Sequence, residues 1–264
     1  MFRLTPVVKN LLIINIVVFI LQYTLSGMDF TGLISLWIIE SDNFKPYQYF
    51  TYMFAHGGFG HILFNMLGLV FLGPLLEQFW GSKRFLIFYL VTGIGAGVLY
   101  SGIEYWRTSE LEKDVTSYIL EPTPDNFSMF VDEHSRYFRS AVYDFANEFS
   151  KNPDDPYYIS ESKAVVKSTY QNLLNGSSML GASGAIYGIL MAFGLLFPNT
   201  QLMLLIPPVP IKAKYLVLIL GGIALYSGLN QDSGDNVAHF AHLGGMIFAF
   251  IMIKIWQKDR NKFY

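Results

Sequence analysis

The order of apolar and polar residues along the chain predicts six membrane-spanning helices. Apolar runs with few charges cover residues 7–25, 61–76, 85–103, 182–197, 215–229 and 237–256. Several are shorter than the roughly 20 residues that cross a bilayer core, which indicates a locally thinned bilayer or helices that begin below the surface. The first run has no small-residue cleavage site and is interpreted as a retained helix. A further apolar stretch holds Pro207, Pro208 and Pro210 and is interpreted as an interfacial loop.

A polar insertion, residues 102–179, separates the third and fourth apolar runs. It carries 13 Asp or Glu residues and 7 Lys or Arg residues. We expect two amphipathic helices separated by turns rather than a further compact domain, so residues 1–264 are expected to form one membrane domain. An apolar stripe predicts a helix over 132–149, and a second helix is expected over 160–174. The first either screens the outer end of the bundle as a gate or rests on the lipid interface.

Composition supports this all-α, polytopic membrane fold. The chain is 52% hydrophobic and only 14% charged, whereas soluble domains are about 25% charged. The net charge of −2 is not accompanied by a basic patch, so nucleic acid is not an expected partner. The chain has no cysteine, which excludes disulfides and thiol nucleophiles.

The basic residues indicate the orientation of the six runs. With six spans, the flanking Lys and Arg residues all fall on one side; these are Arg3, Lys9, Lys83, Arg84, Lys212, Lys214, Lys254, Lys258, Arg260 and Lys262. The positive-inside rule then places both termini in the cytoplasm and the insertion outside. We expect an integral protein of a bacterial cytoplasmic membrane.

One serine stands out among small residues at the start of the fourth run. The segment from Gly181 to Gly188 reads GASGAIYG. Its glycines would leave the Ser183 hydroxyl and N–H unobstructed, as a nucleophile beside an oxyanion site requires. Gly184 and Gly188 also have the spacing of tightly packed membrane helices, so the motif alone favours helix packing.

Other polar residues within the spans lie at a similar depth. His61 and Asn65 are one helical turn apart near the outer end of the second run, and His242 lies near the outer end of the sixth. Polar groups inside a membrane are costly and are usually functional. With Ser183 they permit acyl transfer: Ser183 as nucleophile, His242 as base, and His61 and Asn65 as oxyanion donors.

Two alternatives concern the partners of His242. Asp232 and Asp235 lie in an outer turn and would have to fold back to orient its ring, so a Ser-His dyad is favoured over a triad. A metal site formed by His61, His239 and His242 is the other possibility, although no carboxylate lies at ligand spacing.

These motifs together resemble the rhomboid family of intramembrane serine proteases. The matching pieces are HGGFGHILFN at 56–65, Gly73 to Glu77 to Gly81-Ser82, GASG at 181–184 with Tyr187, and AHLGG at 241–245. The resemblance implies a six-helix rhomboid bundle, no cofactor and single-span membrane-protein substrates with small residues before the cut. It implies Ser183 as nucleophile and His242 as base. It further implies stabilising roles for Gly181 of the motif and for the oxyanion donors His61, Asn65 and the Ser183 N–H, with Tyr187 stacked on His242.

The chain departs from the family pattern at three places. Tyr47-Gln48 replaces a common Trp-Arg pair, Ala249 replaces a common glycine, and the insertion is longer than a minimal member needs. A second function class is a rhomboid-like protein without protease activity that binds or retains client helices. Retention of both Ser183 and His242 favours the protease. A small-solute transporter, the third class, would need polar groups at the bilayer midplane and broken helices in paired halves, and neither is evident.

Overall fold

The computed structural model describes residues 3–25, 27–176, 178–204, 208–230 and 237–260. Its elements in chain order are α1 (Pro6–Thr24), α2 (Phe30–Ile34), α3 (Gln48–Thr51), a 3₁₀ turn (Tyr52–Phe54), α4 (Phe59–Trp80), α5 (Ser82–Leu120), α6 (Pro124–Glu133), a second 3₁₀ turn (Ser135–Tyr137), α7 (Ala141–Lys151), α8 (Pro156–Gly176), α9 (Ser183–Leu196), β1 (Gln201–Met203), β2 (Pro210–Lys212), α10 (Ala213–Leu229) and α11 (His239–Arg260). The described chain is therefore mostly helical.

Each of the six apolar runs is helical in the structure. Helices α1, α4, α5 and α11 are long and apolar enough to cross a membrane, and α9 and α10 are shorter apolar helices. Large hydrophobic side chains such as Ile20, Phe64 and Leu218 are exposed on these helices. Exposed apolar residues at this density suit contact with lipid tails, as expected of an integral membrane protein.

Helix α9 lies inside the bundle, in contact with α4, α5, α10 and α11. Small residues allow this close packing. A β-carbon at Gly188 would lie 2.7 Å from the Thr92 Cβ of α5, and one at Gly245 would collide with the carbonyl oxygen of Gly184. Helices α9 and α11 therefore touch backbone to backbone, and Ala249, which is fully buried, does not keep them apart at this crossing.

Glu77 fixes the C-terminal end of α4 against α1. Its carboxylate accepts hydrogen bonds from the backbone N–H of Val7 (3.1 Å) and Val8 (3.0 Å) and from the Ser82 hydroxyl (2.6 Å). A carboxylate at a helix N-terminus satisfies unpaired donors and the helix dipole. Glu77 therefore joins α1, α4 and α5, at the opposite end of α4 from His61.

Gln48 occupies the position of the arginine in the common Trp-Arg pair, and its side chain points into the loop before α4. Its side-chain carbonyl accepts from the Lys45 N–H (3.1 Å), and its amide donates to the Asn43 carbonyl (3.0 Å). The residue is almost fully buried. It therefore braces the loop before α4 from within.

The insertion packs around a hydrophobic core of its own. The C-terminal half of α5 together with α6, α7 and α8 buries Leu111, Phe127, Phe130, Phe149 and Val166, separate from the core of the membrane bundle. Amphipathic helices are present as expected, but they form a compact layer rather than independent segments.

The prediction of one helix over 132–149 is wrong. The chain turns between Glu133 and Ala141, where His134 packs against Phe130 with ring centroids 4.7 Å apart and its Nε2 lies 2.9 Å from an Asp114 carboxylate oxygen. Tertiary contacts, which periodicity does not reveal, break the helix here. Helix α8 begins at Pro156, four residues before the predicted start.

The proline-rich segment after α9 is a hairpin and not a seventh span. Strands β1 and β2 pair antiparallel, with Gln201 opposite Lys212 and Met203 opposite Pro210. Pro207 lies outside the described residues.

Candidate active site

Ser183 and His242 are brought together by the crossing of α9 and α11. The Nε2 atom of His242 lies 2.9 Å from the Ser183 Oγ. Ser183 is the first residue of α9, and Gly184 and Gly245 beside the pair permit the backbone contact described above. The nucleophile and base proposed from the sequence are thus within hydrogen-bond distance.

The His242 ring is held in place by Tyr187, one turn further along α9. The two rings are stacked, with centroids 4.1 Å apart and an interplanar angle of 4°. The Nδ1 atom of His242 is buried and has no hydrogen-bond partner in the described part of the chain. Asp232 and Asp235, the acidic residues weighed as third members, lie outside the described residues.

The segment leading into Ser183 is pinned through its backbone. Leu36 and Met179 exchange two backbone hydrogen bonds of 2.8 Å, and the Gly181 N–H donates to the Tyr52 carbonyl at 2.9 Å. The Tyr52 hydroxyl in turn donates to the Gly93 carbonyl of α5 at 2.6 Å. Ser183 is therefore placed by rigid neighbours on both sides.

His61 faces Gly181 with a defined nitrogen. The Gly57 N–H donates to its Nδ1 at 3.3 Å, so the ring proton of neutral His61 is on Nε2. A β-carbon at Gly181 would lie 2.6 Å from that Nε2, and Gly181 has a φ of +123°. Only glycine suits this backbone conformation and this approach to the ring.

Asn65 supplies a second donor near the same glycine. It is 6% exposed, and its Nδ2 has no hydrogen-bond partner within the described residues. This Nδ2 would be 3.7 Å from a β-carbon at Gly181. A buried amide donor without a partner is costly unless it serves a ligand or a transient charge.

His56 supports His61 from the loop before α4. It is 2% exposed, its N–H donates to the Gln22 side chain at 2.9 Å, and its ring meets that of His61 edge to face at 5.1 Å. Burial lowers the pKa of His56 to about 4, and neighbouring His61 adds to the effect. His56 is therefore neutral at physiological pH and belongs to the support of the site.

A cavity of about 840 Å³ opens over the Ser183 hydroxyl, and α5 and the insertion form part of its wall. Its lining includes His61, Gly181, Ser183, Tyr187 and His242 from the bundle and also Glu104, Arg107, Arg136, Tyr137 and Leu173. Burial raises the pKa of the Tyr137 phenol, and the adjacent Arg136 charge opposes this. The sequence reasoning missed the charged part of the wall. Glu104 and Arg107, three residues apart just beyond an apolar run, were the available signal.

The histidines of the metal alternative do not form a group of ligands. The rings of His239 and His242 meet edge to face at 6.1 Å, and His242 is directed at Ser183. Among the described residues, the group of three side chains close enough to share a metal ion is Asp114, Glu133 and His134, in the insertion. At the Ser183 site, the His242 Nε2 lies within hydrogen-bond distance of the hydroxyl, and the His61 and Asn65 nitrogens lie near Gly181. This arrangement permits proton transfer from the hydroxyl and donation to a developing negative charge.

A model of the rhomboid domain family matches residues 43–108 and 157–258. The two matched segments contain every residue of the site proposed from the sequence. They leave out 109–156, most of the insertion.

Three relatives are similar to this chain. RHOMBOID-like protein 12, mitochondrial, of Arabidopsis thaliana is 26% identical over 261 residues, covering 97% of this chain and 60% of the relative. Rhomboid protease GlpG of Klebsiella pneumoniae subsp. pneumoniae is 30% identical over 96 residues, covering 35% of this chain and 33% of the relative. Rhomboid protein 1, mitochondrial, of Saccharomyces cerevisiae is 33% identical over 87 residues, or 31% of this chain and 25% of the relative. The alignments thus span less than two thirds of each relative's length.

Proposed function

Since this chain belongs to the rhomboid family, we propose that it is an intramembrane serine endopeptidase with a Ser183–His242 dyad. It cleaves a peptide bond in or beside the transmembrane segment of a membrane-protein substrate, near the outer face of the membrane. The single observation that carries the proposal is the 2.9 Å contact between the Ser183 Oγ and the His242 Nε2.

The dyad acts in two steps. His242 Nε2 accepts the hydroxyl proton as Ser183 Oγ attacks the scissile carbonyl carbon, and the same proton is then donated to the leaving amine. Water subsequently attacks the acyl-enzyme ester while His242 Nε2 accepts its proton. The bond between Ser183 Oγ and the acyl carbon then breaks, His242 returns the proton to Oγ, and the carboxylate product leaves. Stacked Tyr187 keeps the His242 ring in the orientation that both steps need.

Three donors suit the oxyanion of the tetrahedral intermediate. They are the His61 Nε2–H, the Asn65 amide and the backbone N–H of Ser183. The first is supported by the tautomer that Gly57 imposes, and the second by the absence of a partner for the Asn65 Nδ2 within the described chain. Donors in place before the reaction stabilise the transition state without reorganisation.

The proposed architecture is one membrane domain of six spans. The helices are α1, α4, α5, α9, α10 and α11, both termini face the cytoplasm, and the insertion is outside. Tags at Met1 and Tyr264 should then be protected in sealed right-side-out vesicles, and a tag near Pro153 should be digested by added protease. The opposite pattern would refute the orientation. A bacterial cytoplasmic membrane stays a prediction, because the similar proteins include two with mitochondrial in their names.

The rival function is retention of client transmembrane helices without cleavage. Lipid and single-span substrates are the proposed partners in both cases, so binding alone does not separate them. The His242 contact with Ser183 favours the protease, because a binding scaffold has no need of a base at hydrogen-bond distance from a serine.

A fluorophosphonate probe and a fluorescent single-span substrate test the protease directly. The unsubstituted protein should be labelled and should cleave, whereas Ser183→Ala and His242→Ala should do neither while remaining folded. Ser101→Ala and His239→Ala are matched controls, because Ser101 is a buried bundle serine and His239 is the histidine next to the dyad. Cleavage by Ser183→Ala would overturn the proposal.

A further inference from the structure

The wall that α5 and the insertion add to the cavity is positively charged. Among the described residues that line the cavity, the arginines are Arg107 and Arg136, and the carboxylate is Glu104. Two cations and one anion leave an excess positive charge in the space that also contains the nucleophile.

The Arg107 side chain makes its contacts with residues of the helix bundle. It forms an ion pair with Glu104 at 2.9 Å, donates to the Gly228 carbonyl at 3.2 Å and lies 5.0 Å from the centroid of the Phe240 ring. The Gly228 carbonyl belongs to the last turn of α10, where a cation complements the helix dipole. Arg107 therefore links α5 to the adjoining ends of α10 and α11.

Arg136 reaches the same cavity from the insertion. It is in the second 3₁₀ turn, is partly exposed and lies over the Tyr137 ring at 4.7 Å. The positive charge of Arg136 interacts electrostatically with Glu104, but the Glu104 carboxylate makes its ion pair with Arg107. Arg139, three residues further on, is exposed and does not line the cavity.

We propose that Arg136 is a specificity-determining residue that binds an Asp or Glu side chain of the substrate, in the segment just outside the scissile bond. The inference rests on the proposed function, since it assigns one end of the same cavity to the substrate. A peptide must enter this cavity to reach Ser183, and Arg136 lines the same cavity. A guanidinium presents paired donors that match a carboxylate.

The expected size of the preference follows from a partly desolvated charge pair. A hydrogen bond to a charged group typically changes affinity by roughly tenfold or more. An acidic substrate should therefore bind roughly tenfold or more tightly than its amide counterpart. Salt should reduce the difference, because ions screen exposed charges over about 10 Å at 0.1 M.

Binding to the Ser183→Ala protein tests the inference without requiring cleavage. A series of fluorescent single-span peptides carries one Asp or one Asn, moved residue by residue along the outer juxtamembrane segment, in phosphatidylcholine vesicles. At one register the Asp peptide should bind roughly tenfold more tightly. Adding Arg136→Gln to the Ser183→Ala protein should remove that difference in affinity, and adding Arg136→Lys should retain part of it. Adding Arg139→Gln, the matched control, should retain all of it. Arg136→Glu should reverse it, so that a Lys peptide binds best.

Three outcomes would overturn the inference. The first is equal binding of Asp and Asn peptides at every register, and the second is a preference that survives Arg136→Gln. The third is an effect of Arg136 that is the same for both peptides and requires anionic vesicles. That third outcome would assign Arg136 to the binding of lipid headgroups. Failure of the unsubstituted protein to cleave would count against the protease proposal alone, because the peptide preference is read in the Ser183→Ala background.

Discussion

Gly181 has a backbone conformation that side-chain-bearing residues rarely adopt, and it faces His61, a proposed oxyanion donor. In Gly181→Ala the new β-carbon would lie 2.6 Å from the His61 Nε2. The ring must then move, and loss of one oxyanion donor costs roughly 10² to 10³ in rate. We expect kcat for a single-span substrate to fall by about that factor.

The control for this substitution is Gly102→Ala. Gly102 lies in α5, and a β-carbon there would meet nothing within 4 Å. This variant should keep the activity of the unsubstituted protein. Full activity of Gly181→Ala would remove His61 from the proposed oxyanion site.

The buried His56 predicts a pH-dependent stability. Its pKa falls from 6.5 to about 4 on folding because burial penalises the charged ring. The unfolded chain therefore binds a proton between pH 6.5 and pH 4 that the folded chain does not, and stability is lost on acidification through that window. At about 1.4 kcal/mol per pKa unit, the free energy of unfolding should drop by about 3 kcal/mol.

Thermal unfolding in detergent between pH 7 and pH 4 measures this effect. His56→Gln has no such group and should show a shallower dependence than the unsubstituted protein, whatever its absolute stability. Parallel curves for the two proteins would show that His56 does not contribute.

At the residue scale, site residues could be predicted from the sequence where a polar side chain lies in an apolar run. Ser183, His61, Asn65 and His242 are polar groups in apolar runs, so their shared depth predicted one site, and the structure brings them together. Arg136 could not be found this way. It lies in a polar segment where charge is ordinary, and only the fold brings it to the cavity.

At the scale of elements, the crossing of α9 and α11 sets the distance between Ser183 and His242, the proposed nucleophile and base. In Gly245→Ala, the β-carbon would collide with the backbone of Gly184, which cannot rotate away. The helices must separate, at a cost of roughly 1–3 kcal/mol for overpacking. We expect a lower thermal midpoint and a large loss of cleavage, because the 2.9 Å contact of Ser183 with His242 depends on this crossing.

Gly222→Ala in α10 is the corresponding control. A β-carbon at Gly222 would meet nothing within 4 Å, and alanine favours a helix more than glycine does. Its stability and activity should equal or exceed those of the unsubstituted protein. A fully active Gly245→Ala protein would mean that the crossing tolerates more separation than the geometry implies.

The six apolar helices lie where hydropathy predicts them, but the end of α5 and the start of α6 were not predicted. Helix α5 continues to Leu120, 17 residues past the predicted end at 103, because a helix leaving the membrane needs no apolar residues to persist. Helix α6 begins at Pro124, where the Thr123 hydroxyl accepts the Asn126 N–H at 3.2 Å. Thr-Pro is a helix-start signal, whereas the first helix predicted within the insertion began only at residue 132.

At the scale of the whole molecule, the protein consists of a membrane bundle and a layer with its own core. The two share α5, which carries bundle residues such as Phe88 and insertion residues such as Leu111. A spacing pattern can predict that an apolar stripe is buried, but not which partner covers it. The insertion was therefore predicted to contain helices, and its common core was not.

Replacing residues 109–171 with a Gly/Ser linker separates the roles of these two parts. Thr108, the residue before the deletion, is kept because its hydroxyl donates a 3.0 Å hydrogen bond to the Glu40 carboxylate. Because the bundle core contains no residue of the deleted segment, the protein should still insert, and fluorophosphonate labelling of Ser183 should persist. The cavity would lose Arg136 and Tyr137, so cleavage should continue with a broader substrate range and a higher KM for acidic substrates.

The single substitution Arg136→Gln provides the matched comparison for this deletion. If the insertion only supplies the charged wall, the two proteins should share the same loss of acidic preference. If it also gates entry, the deletion alone should raise the rate for substrates without an acidic residue. Unchanged rates and unchanged substrate range in the deletion would leave the insertion resting on the lipid interface, with no part in selecting what reaches Ser183.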